Sequence, residues 1–407
     1  MNNILKIINF GPIKGGFDQN NGYMTIGQLS IFSGTQGTGK STVVKLYSTF
    51  VWLEKALVRG DFTAKYVEQY SRFQKKFLAY QGINNYIRKD TFLHYQGEAC
   101  EFVYENGKFR AMMHPFSPQY VRPQVMYYPA ERNLLSVIDK ASGLKGIPGE
   151  LSTLLEDYNM ACRSLSQDLQ LPINGVRFRY DKLNKVASVI GSDYKVRMSE
   201  ASSGIQSLSP LFVVMNYLSD VVRNGADSMG TKTSAEERSR IDKRINALLM
   251  DDSLDEEMRM MLIKRLSDNK NQRMISIVEE PEQNLFPESQ ESILYDMIRL
   301  SANGNDQLLF TTHSPYMLNY IMLAIKAKQV EKVVKEDNDI KELEDIVPIK
   351  ARIEGKNVTV YQLTLDGTIK KLPTYEDMPS DENFLNQNMR KVNLKYSNLL
   401  EIQSLYE

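Results

Sequence analysis

The chain has 407 residues, and its 50 lysines and arginines balance 50 aspartates and glutamates, so the formal net charge is zero. This balance excludes a generic nucleic-acid coat, which would be basic overall, and an acidic disordered tail. Hydrophobic residues make up 42% of the chain and charged residues 25%. These fractions are typical of an ordinary globular protein, and the length predicts roughly two or three domains.

The few cysteines and histidines bear on compartment and metal chemistry. Cys100 and Cys162 lie far apart in the sequence, which favours a reducing compartment over a disulfide framework. His94, His114 and His313 are too scattered to indicate a zinc site. The first residues lack the apolar run of a signal peptide, and every apolar stretch is shorter than the roughly 18 residues of a membrane span. We therefore expect no membrane segment and a cytoplasmic location.

Strand-like and helix-like patterns alternate along most of the chain. The predicted strands lie, in chain order, at residues 4–10, 29–33, 102–104, 109–112, 124–128, 176–180, 185–190, 194–198, 274–278, 307–311, 358–365 and 368–372. The predicted helices lie at residues 40–58, 204–223, 316–328 and 382–406. Helix is also predicted within the mixed, charged and aromatic segment 60–98, and helix and loop at 134–172. The apolar runs in the last third of the chain are typical of buried parallel strands.

Turn residues and charge mark the segments between these elements. Asn106 and Gly107 lie between two strand-like runs, which is a strong signal for a tight hairpin. Residues 60–125 are predicted to form an insertion that is helical plus this hairpin. Residues 225–273 are dense in charge without a sustained heptad, which predicts an exposed helical insertion rather than a long coiled coil. Residues 329–345 are predicted to be a charged loop.

A glycine-rich segment follows the second predicted strand. Residues 34–41 match the phosphate-binding pattern G-x-x-x-x-G-K-[ST] at every defined position, with a strand before and a helix after. The glycines allow a turn that points backbone N–H groups at phosphate oxygens, and the helix N-terminus adds partial positive charge. Lys40 is predicted to bridge the β- and γ-phosphates, Ser41 to bind Mg²⁺, and Thr42 to help hold the α-phosphate. The predicted nucleotide-binding residues are Gly34, Thr35, Gln36, Gly37, Thr38, Gly39, Lys40, Ser41 and Thr42.

An apolar strand ends in a cluster of carboxylates at residues 279–282. In P-loop proteins an acid at this position holds Mg²⁺, and the next acid can activate water. We therefore predict that Glu279 is a metal residue and that Glu280 is the general base. Aspartate is more usual at the position of Glu279, and the longer glutamate reaches the water shell of the metal less directly. Glu282 can be interpreted as no more than a solvated charge.

Two further motifs complete the set. His313 ends the predicted strand 307–311 and is predicted to contact the γ-phosphate, although a lone histidine is more often structural. Residues 199–207 open a predicted helix and resemble the L-S-G-G-Q signature of some ATPases. A serine hydroxyl, a glycine and a helix N-terminus again suit phosphate, although a serine before a helix is often only an N-cap. The predicted signature residues are Ser202, Ser203, Gly204 and Gln206.

In this order, the motifs resemble those of ATP-binding-cassette (ABC) type ATPase heads, most of all the soluble RecF/SMC/OLD-like branch. The resemblance is carried by residues 9–14, 34–41, 202–206, 279–287 and 312–315, and residues 128–132 also resemble a segment near the Q-loop. It implies an α/β P-loop NTPase fold, an ABC-ATPase-like head with a mixed central sheet, an N-terminal antiparallel β region and helical insertions. It also implies ATP and Mg²⁺ as ligands, ATP hydrolysis, a head at about 1–330, and a C-terminal α/β extension at 331–407.

The resemblance further implies that two heads enclose two ATP molecules. The signature turn of one copy then completes the P-loop of the other, and residues 284–287 form a D-loop at the interface. The chain departs from the family pattern at Ser202, where leucine is usual, and at Ile205, where glycine is usual. These departures bear on the turnover rate more than on ATP binding. Gln124 is the candidate Q-loop glutamine.

Stand-alone ATPases of this design occur in bacterial anti-phage systems, and the ATPase subunits of PARIS-type systems are one such resemblance. It implies a homodimer or higher homo-oligomer that acts as a sensor and regulator of a separate effector protein, a nuclease or toxin, with no membrane partner. A RecF-like DNA-repair or chromosome-associated ATPase that binds DNA is the alternative. A built-in Toprim nuclease is not expected, because the lead-in to Asp337 and Asp339 is too charged for a buried strand. A transporter ATPase is disfavoured by the insertions.

Overall fold

A computed structural model of the protein describes residues 3–114, 120–138, 146–173, 175–224, 249–250, 256, 259–260, 271–302 and 304–406. The strands are β1 (Asn3–Phe10), β2 (Gly16–Phe17), β3 (Met24–Ile26), β4 (Leu29–Gly34), β5 (Ile87–Gln96), β6 (Cys100–Glu105), β7 (Lys108–Met113), β8 (Pro123–Tyr128), β9 (Leu169–Gln170), β10 (Arg177–Asp181), β11 (Val186–Ile190), β12 (Lys195–Arg197), β13 (Arg273–Glu279), β14 (Gln307–Thr312), β15 (Val358–Leu363), β16 (Thr368–Lys371), β17 (Thr374–Tyr375) and β18 (Met378–Pro379). The α-helices are α1 (Lys40–Arg59), α2 (Ala64–Glu68), α3 (Leu134–Val137), α4 (Gly149–Ser164), α5 (Ser203–Asn224), α6 (Pro287–Ser301), α7 (Pro315–Glu331), α8 (Asp337–Ile346) and α9 (Phe384–Ser404).

A seven-stranded mixed sheet forms the centre of the molecule, in the order β2-β16-β15-β4-β14-β13-β8. The five strands from β15 to β8 are parallel, and β16 is antiparallel to β15. Every residue of β4, β13 and β14 is buried, as expected for parallel strands covered on both faces. The predicted α/β P-loop fold with a mixed central sheet is confirmed.

Alternate side chains of the central sheet enter two separate hydrophobic cores. In β13, Ile275 and Ile277 pack with α1 and the N-terminal strands, whereas Met274 and Val278 pack with the helices α4 to α7 on the other face. This alternation follows from the two-residue period of a strand. The sheet is therefore held between α1 and a β layer on one side and a helical layer on the other.

The β layer is a five-stranded antiparallel sheet with the order β3-β1-β5-β6-β7. Its predicted hairpin is confirmed, because Asn106 and Gly107 have φ angles of 52° and 74° and join β6 to β7 in a two-residue loop. The ten-residue strand β5 lies inside the mixed segment 60–98, for which the sequence predicts helix and no strand. Residues 88–90 of β5 are charged and exposed. They interrupt the alternation of apolar and polar residues by which a strand is predicted from sequence.

A smaller antiparallel sheet, β12-β11-β10-β9, covers part of the helical layer. The strands β10, β11 and β12 confirm the predicted meander. The helix α5 that follows has the length and composition of a membrane span, with a mean hydropathy of 1.2 over its apolar window. Among the described residues it alone passes this test, and 61% of that window is buried inside the fold. This burial is the pattern of a core helix, and α5 packs against α4 and α6.

The C-terminal segment differs from the sequence prediction in two ways. Residues 337–346 form the helix α8, whereas the prediction of a charged loop at 329–345 is wrong there. Leu343 is the buried residue of this helix. One buried apolar residue among many charged ones does not produce the periodic pattern by which a helix is predicted. The strand β15, which belongs to the predicted C-terminal extension, pairs with β4 at the middle of the central sheet. Most of the predicted insertion 225–273 lies outside the described residues.

Candidate nucleotide-binding site

Three loops that follow parallel strands meet at one edge of the central sheet. Pairing places Thr312 of β14 beside Ser33 of β4, and Glu279 of β13 beside Thr311 of β14. The loops after β4, β13 and β14 therefore leave the sheet at the same level. The carboxyl ends of parallel strands are the usual binding edge of an open α/β sheet.

The loop between β4 and α1 has the closed shape of a phosphate-binding loop. Thr38 Oγ1 donates to the carbonyl of Thr35 at 2.9 Å, which closes the turn. Gly39 caps α1 with a φ of 97°, and a Cβ there would lie 3.1 Å from Ile13 and 3.4 Å from Pro12. The turn at 9–14, singled out in the sequence, thus packs against the loop and explains the need for glycine.

The remaining predicted nucleotide residues differ in exposure. Gln36 and Gly37 are exposed at the tip of the loop, whereas Thr42 is buried in the first turn of α1. Ser41 lies beside the end of β13, where its hydroxyl hydrogen-bonds to Glu279. The backbone N–H groups at the start of α1 point toward the loop as in any helix N-terminus, which suits an anion.

Lys40 holds the loop and links it to the two neighbouring strand ends. Its ammonium group donates to the carbonyls of Gly34 at 2.9 Å and Thr35 at 2.8 Å. Burial lowers the pKa of Lys40 to about 8, and the charges of Glu280 and its neighbouring glutamates oppose this shift. The ammonium nitrogen also lies 3.4 Å from Nδ1 of His313.

His313 connects Lys40 to the predicted base. Its Nε2 lies 3.2 Å from Oε1 of Glu280. Because an ammonium group can only donate, Nδ1 of His313 is assigned as the acceptor from Lys40, and Nε2 as the donor to Glu280. This hydrogen bond is the main reason why the pKa of Glu280 is lowered. The structure thus brings together the three residues predicted to act on the γ-phosphate.

The backbone of Glu280 is held in an unusual conformation. Its φ of 43° lies in the left-handed region, which a glutamate seldom adopts. Its N–H donates to the carbonyl of Thr311 at 3.1 Å and to the side-chain oxygen of the same residue at 3.2 Å. The two bonds turn the chain at the end of β13 so that consecutive carboxylates diverge. Glu279 is buried, whereas the Glu280 side chain is partly exposed.

Glu279 and Ser41 form an oxygen-rich pair that fits Mg²⁺. The Glu279 carboxylate accepts hydrogen bonds from the Ser41 hydroxyl and from the phenol of Tyr127. Burial raises the pKa of Glu279, and both hydrogen bonds oppose that shift. A carboxylate and a hydroxyl are the hard oxygen ligands that Mg²⁺ prefers, usually with several waters retained. Tyr127 was not anticipated from the sequence and fixes the longer glutamate side chain.

The interpretation of Glu282 as a solvated charge is wrong, because its carboxylate is hydrogen-bonded at the end of β14. Oε1 accepts from the hydroxyl of Thr312 at 2.7 Å and from the N–H of His313 at 2.7 Å. Oε2 is buried without a hydrogen-bond partner among the described residues. Burial raises the pKa of this carboxyl. Glu282 therefore fixes the backbone of His313 by a contact that crosses between two strand ends.

We expect Glu282→Ala to destabilise the fold by about 2–4 kcal/mol, because it leaves the Thr312 hydroxyl and the His313 N–H unpaired in a buried place. Glu282→Gln keeps an acceptor oxygen and removes a buried charge, so its free energy of unfolding at pH 7 should stay within about 1 kcal/mol of the parent. Chemical denaturation of both variants measures this. Equal loss in both would show that the charge, and not the acceptor, holds His313.

Arg132 ends the segment 128–132 that the sequence singled out, but the sequence predicted no role for this residue. It is fully buried, and its guanidinium donates to the carbonyls of Glu279 at 2.6 Å, Glu280 at 2.7 Å and Ser207 at 3.1 Å. Burial lowers its pKa to about 10, and the nearby glutamates oppose this. Because Ser207 belongs to α5, Arg132 ties the helix of the signature turn to the two acids.

The predicted signature residues begin α5 away from the core. Ser202 and Ser203 are exposed, so they are accessible to a second copy. Gly204 is in close contact with the D-loop, since a Cβ there would lie 2.7 Å from the carbonyl of Asn284. Gln206 points back into its own turn, where Nε2 donates to the carbonyl of Ser199 at 3.0 Å. Its side chain thus shapes the turn.

The candidate Q-loop glutamine lies at the wrong end of its strand. Gln124 pairs in register with Met274 at the start of β13, whereas the P-loop is at the other end of the sheet. Its Oε1 accepts from Asn271 at 2.6 Å. In a parallel sheet the side chains near a nucleotide come from strand ends, and the end of β8 leads instead to residues 128–132. This assignment of Gln124 is therefore wrong.

Comparisons with known proteins agree with a nucleotide site of the P-loop type. The family model of the AAA ATPase domain matches residues 257–318, the segment that carries Glu279, Glu280 and His313. No curated protein matches the chain. The match covers one segment of the chain, and the phosphate-binding loop and the acids that follow β13 belong to the P-loop class of fold.

Three solved structures are similar to the chain at low identity. The SMC head domain from Thermotoga maritima is 8% identical, with 92% of this chain and 99% of that chain covered and a TM-score of 0.37. The SmcHead bound to the C-winged helix domain of ScpA is 11% identical, with 91% and 96% covered and a TM-score of 0.33. The Smc head domain with an extended coiled coil, bound to the C-terminal domain of ScpA derived from Pyrococcus furiosus, is 10% identical, with 97% and 98% covered and a TM-score of 0.34.

Proposed function

We propose that this protein hydrolyses ATP with Mg²⁺ at the edge of the central sheet. The observation that carries the proposal is the hydrogen-bonded chain from Lys40 through His313 to Glu280. In it a cation for phosphate, an imidazole and a carboxylate lie next to one another beside a phosphate-binding loop. These are the parts that phosphoryl transfer to water requires.

Each residue has a task that follows from its position. Lys40 would move from the loop carbonyls to the β- and γ-phosphates, and the Nε2 proton of His313 can be donated to a γ-phosphate oxygen. Glu280, freed from His313 by that exchange, accepts a proton from the attacking water. Ser41 and Glu279 would hold Mg²⁺, which when bound neutralises charge on the phosphates. The partial exposure of Glu280 gives water access to it.

We also propose that the active unit is a dimer in which the signature turn of each copy faces the P-loop of the other. Ser202 and Ser203 lie exposed at the N-terminus of a 22-residue helix, an arrangement that suits a phosphate supplied by another chain. The adjoining D-loop exposes 70% of Phe286, a large apolar side chain next to this turn. An exposed phenylalanine beside a polar anion site suits an interface between subunits.

A complementation experiment tests both proposals together. Lys40→Ala removes the P-loop cation, and Ser203→Arg blocks the signature turn, so each variant alone should show almost no ATP turnover. In an equal mixture half of the dimers are mixed, and each of these has one intact site. Turnover should then recover to about a quarter of the parent value. Phosphate release measured over a range of protein concentrations gives the result.

The outcomes separate the two parts of the proposal. Absence of Mg²⁺-dependent phosphate release from the parent chain would contradict hydrolysis itself. Full turnover in Ser203→Arg would leave hydrolysis intact and overturn the role of the signature turn. Failure of the mixture to recover, with the parent active, would place both motifs in the same chain.

We further propose that turnover regulates a separate effector protein, a nuclease or a toxin, in anti-phage defence in the cytoplasm. The support for this role is the motif resemblance alone. Co-expression with the products of adjacent genes, followed by isolation of the complex with and without ATP, tests it. Isolation of an ATP-dependent complex with a nuclease or toxin is the expected outcome, and adjacent recombination genes would favour a DNA-repair role.

A further inference from the structure

The last helix of the chain, α9, leaves the fold after its first turn. Leu385 is its buried residue, and Asn386 donates to the side chain of Asn319 in α7 at 3.3 Å. Residues 387–404 are all exposed. An isolated helix of this length is only marginally stable in water, because most helical stability comes from tertiary packing. The exposed part of α9 therefore suits a surface that lies on another molecule.

One face of α9 is apolar and has lysines along one side. Val392, Tyr396 and Leu399 follow one another at intervals of four and three residues, so they form a stripe on one face of the helix. Each of these side chains is about two-thirds exposed. Lys391 and Lys395 are four residues apart, and both lie on the same side of the stripe. Anchors at i, i+4 and i+7 are the form in which a helix enters an apolar groove.

A groove of about 480 Å³ lies between α7 and α8. Leu323 and Val330 line it from α7, and Leu343 and Ile346 line it from α8. Val333, just after α7, is 71% exposed at the groove, and Ile346 is 53% exposed. Aliphatic side chains exposed on two neighbouring helices are typical of a surface that binds a protein partner.

The charges at the groove are complementary to those of α9. Asp339 and Glu342 line the α8 wall and are exposed, and α8 as a whole carries five acids and one lysine. The basic residue of the lining, Lys326, belongs to the opposite wall, on α7. On α9 the side of the stripe away from the lysines carries the uncharged Asn393 and Leu400. One orientation of α9 therefore places its lysines against α8 and its neutral side against Lys326.

The groove and the stripe also match in length. Leu323 and Val330 are as far apart in sequence as Val392 and Leu399, and each span is about 10 Å of helix. Both surfaces of the same chain are exposed, so α9 does not fill the groove of its own copy. A second copy can supply each surface with its counterpart.

We propose that α9 of one copy docks in the groove between α7 and α8 of a second copy. Val392, Tyr396 and Leu399 enter the groove, and Lys391 and Lys395 lie against the acids of α8. The groove begins eight residues into α7 and is separate from the strand ends that carry the phosphate site. The contact therefore associates copies without nucleotide, independently of the dimer proposed around ATP. Because two or three turns of helix bury less than a standard interface, we expect association at about micromolar concentrations.

An exchange of charges tests the proposal by sedimentation equilibrium of the full chain without nucleotide. One variant carries Lys391→Glu and Lys395→Glu, and the other carries Asp339→Lys and Glu342→Lys. Each alone brings like charges together and should associate at least about tenfold more weakly than the parent. In an equal mixture every α9 meets a groove of opposite charge, so association should return to within about threefold of the parent. Asp345→Lys, an exposed position on the other face of α8, is the control and should associate as the parent does.

A second pair of variants tests the apolar contact. Leu399→Gln should weaken association by about tenfold or more, because the contact buries this leucine. Leu394→Gln changes a similarly exposed leucine on the opposite face of α9 and should leave association unchanged. Thermal unfolding curves show whether each variant folds. If the α8 charge variant does not fold, Ile346→Gln tests the groove in its place and should also weaken association.

A parent chain that stays monomeric up to about 100 μM would overturn the proposal. Association of the α8 charge variant as tight as that of the parent would overturn it as well, because α9 would then pair with α9 or with another surface. Charge variants that remain apart in the mixture would have the same meaning. Since nucleotide is left out of these measurements, their results do not depend on ATP turnover.

Discussion

Replacement of Lys40 by alanine is expected to weaken ATP binding by at least about 100-fold, since two or more charge-assisted hydrogen bonds to phosphate are lost at about 1.5–3 kcal/mol each. The structure places the ammonium group at the centre of the loop, bonded to the carbonyls of Gly34 and Thr35. Equilibrium titration with a fluorescent ATP analogue measures the change. Lys65→Ala, an exposed lysine on α2, is the control and should bind as the parent does.

The pH dependence of binding gives an independent check on Lys40. Its pKa of about 8 in the free protein should rise when phosphate binds, because negative charge favours the ammonium form. The complex then holds more protons than the free protein above pH 8, so affinity should fall as pH rises, by up to about tenfold per pH unit. Lys40→Arg should lose this dependence. A parent affinity that is constant from about pH 7 to 9.5 would contradict a Lys40 pKa near 8.

The sequence predicted those parts of the site whose signal is local. The P-loop, the acids after β13 and His313 each follow a recognisable strand, and the topology of a parallel sheet brings such ends together. The hairpin at Asn106 and Gly107 was equally predictable from sequence, because positive φ angles at two consecutive positions restrict the residue types. Periodicity and turn chemistry, read over a few residues, were sufficient for these elements.

The parts that could not be predicted depend on contacts between distant segments. The role of Arg132 is recognisable only in three dimensions, because three of its acceptors are backbone carbonyls 75 to 148 residues away, which carry no side-chain signature. Tyr127 and Glu279 are 152 residues apart. Glu282 resembled any charged turn residue until its bonds to the end of β14 were known. The pairing of β15 with β4 likewise joins segments that are distant in sequence, so no local pattern predicts it.

Arg132 and Glu282 have a common consequence for the site. Arg132 holds the carbonyls of Glu279 and Glu280 and reaches α5, while Glu282 holds the backbone of His313. The acid, the histidine and the signature helix are thus joined by buried polar contacts rather than by loop packing. A rigid support of this kind positions the reacting groups before ATP arrives, which lowers the reorganisation needed in the transition state.

Replacement of Glu280 by glutamine is expected to lower ATP turnover by at least about 100-fold while ATP remains bound, since an amide cannot accept the proton of the attacking water. The amide oxygen can still accept the Nε2 proton of His313, so the geometry of the site should be kept. Loss of a negative charge near the phosphates should, if anything, strengthen ATP binding. Single-turnover measurements separate the chemical step from binding.

Glu288→Gln, an exposed glutamate at the start of α6, is the matched control and should turn over ATP as the parent does. If signature turns act between copies, Glu280→Gln should also accumulate as a stable ATP-bound dimer, because hydrolysis no longer opens it, and mass measurement with and without ATP would detect this. Unchanged turnover in Glu280→Gln would remove Glu280 as the base. Loss of both binding and turnover would assign the Glu280 side chain to the structure of the loop instead, although the bond from Arg132 to the carbonyl of this residue does not depend on its side chain.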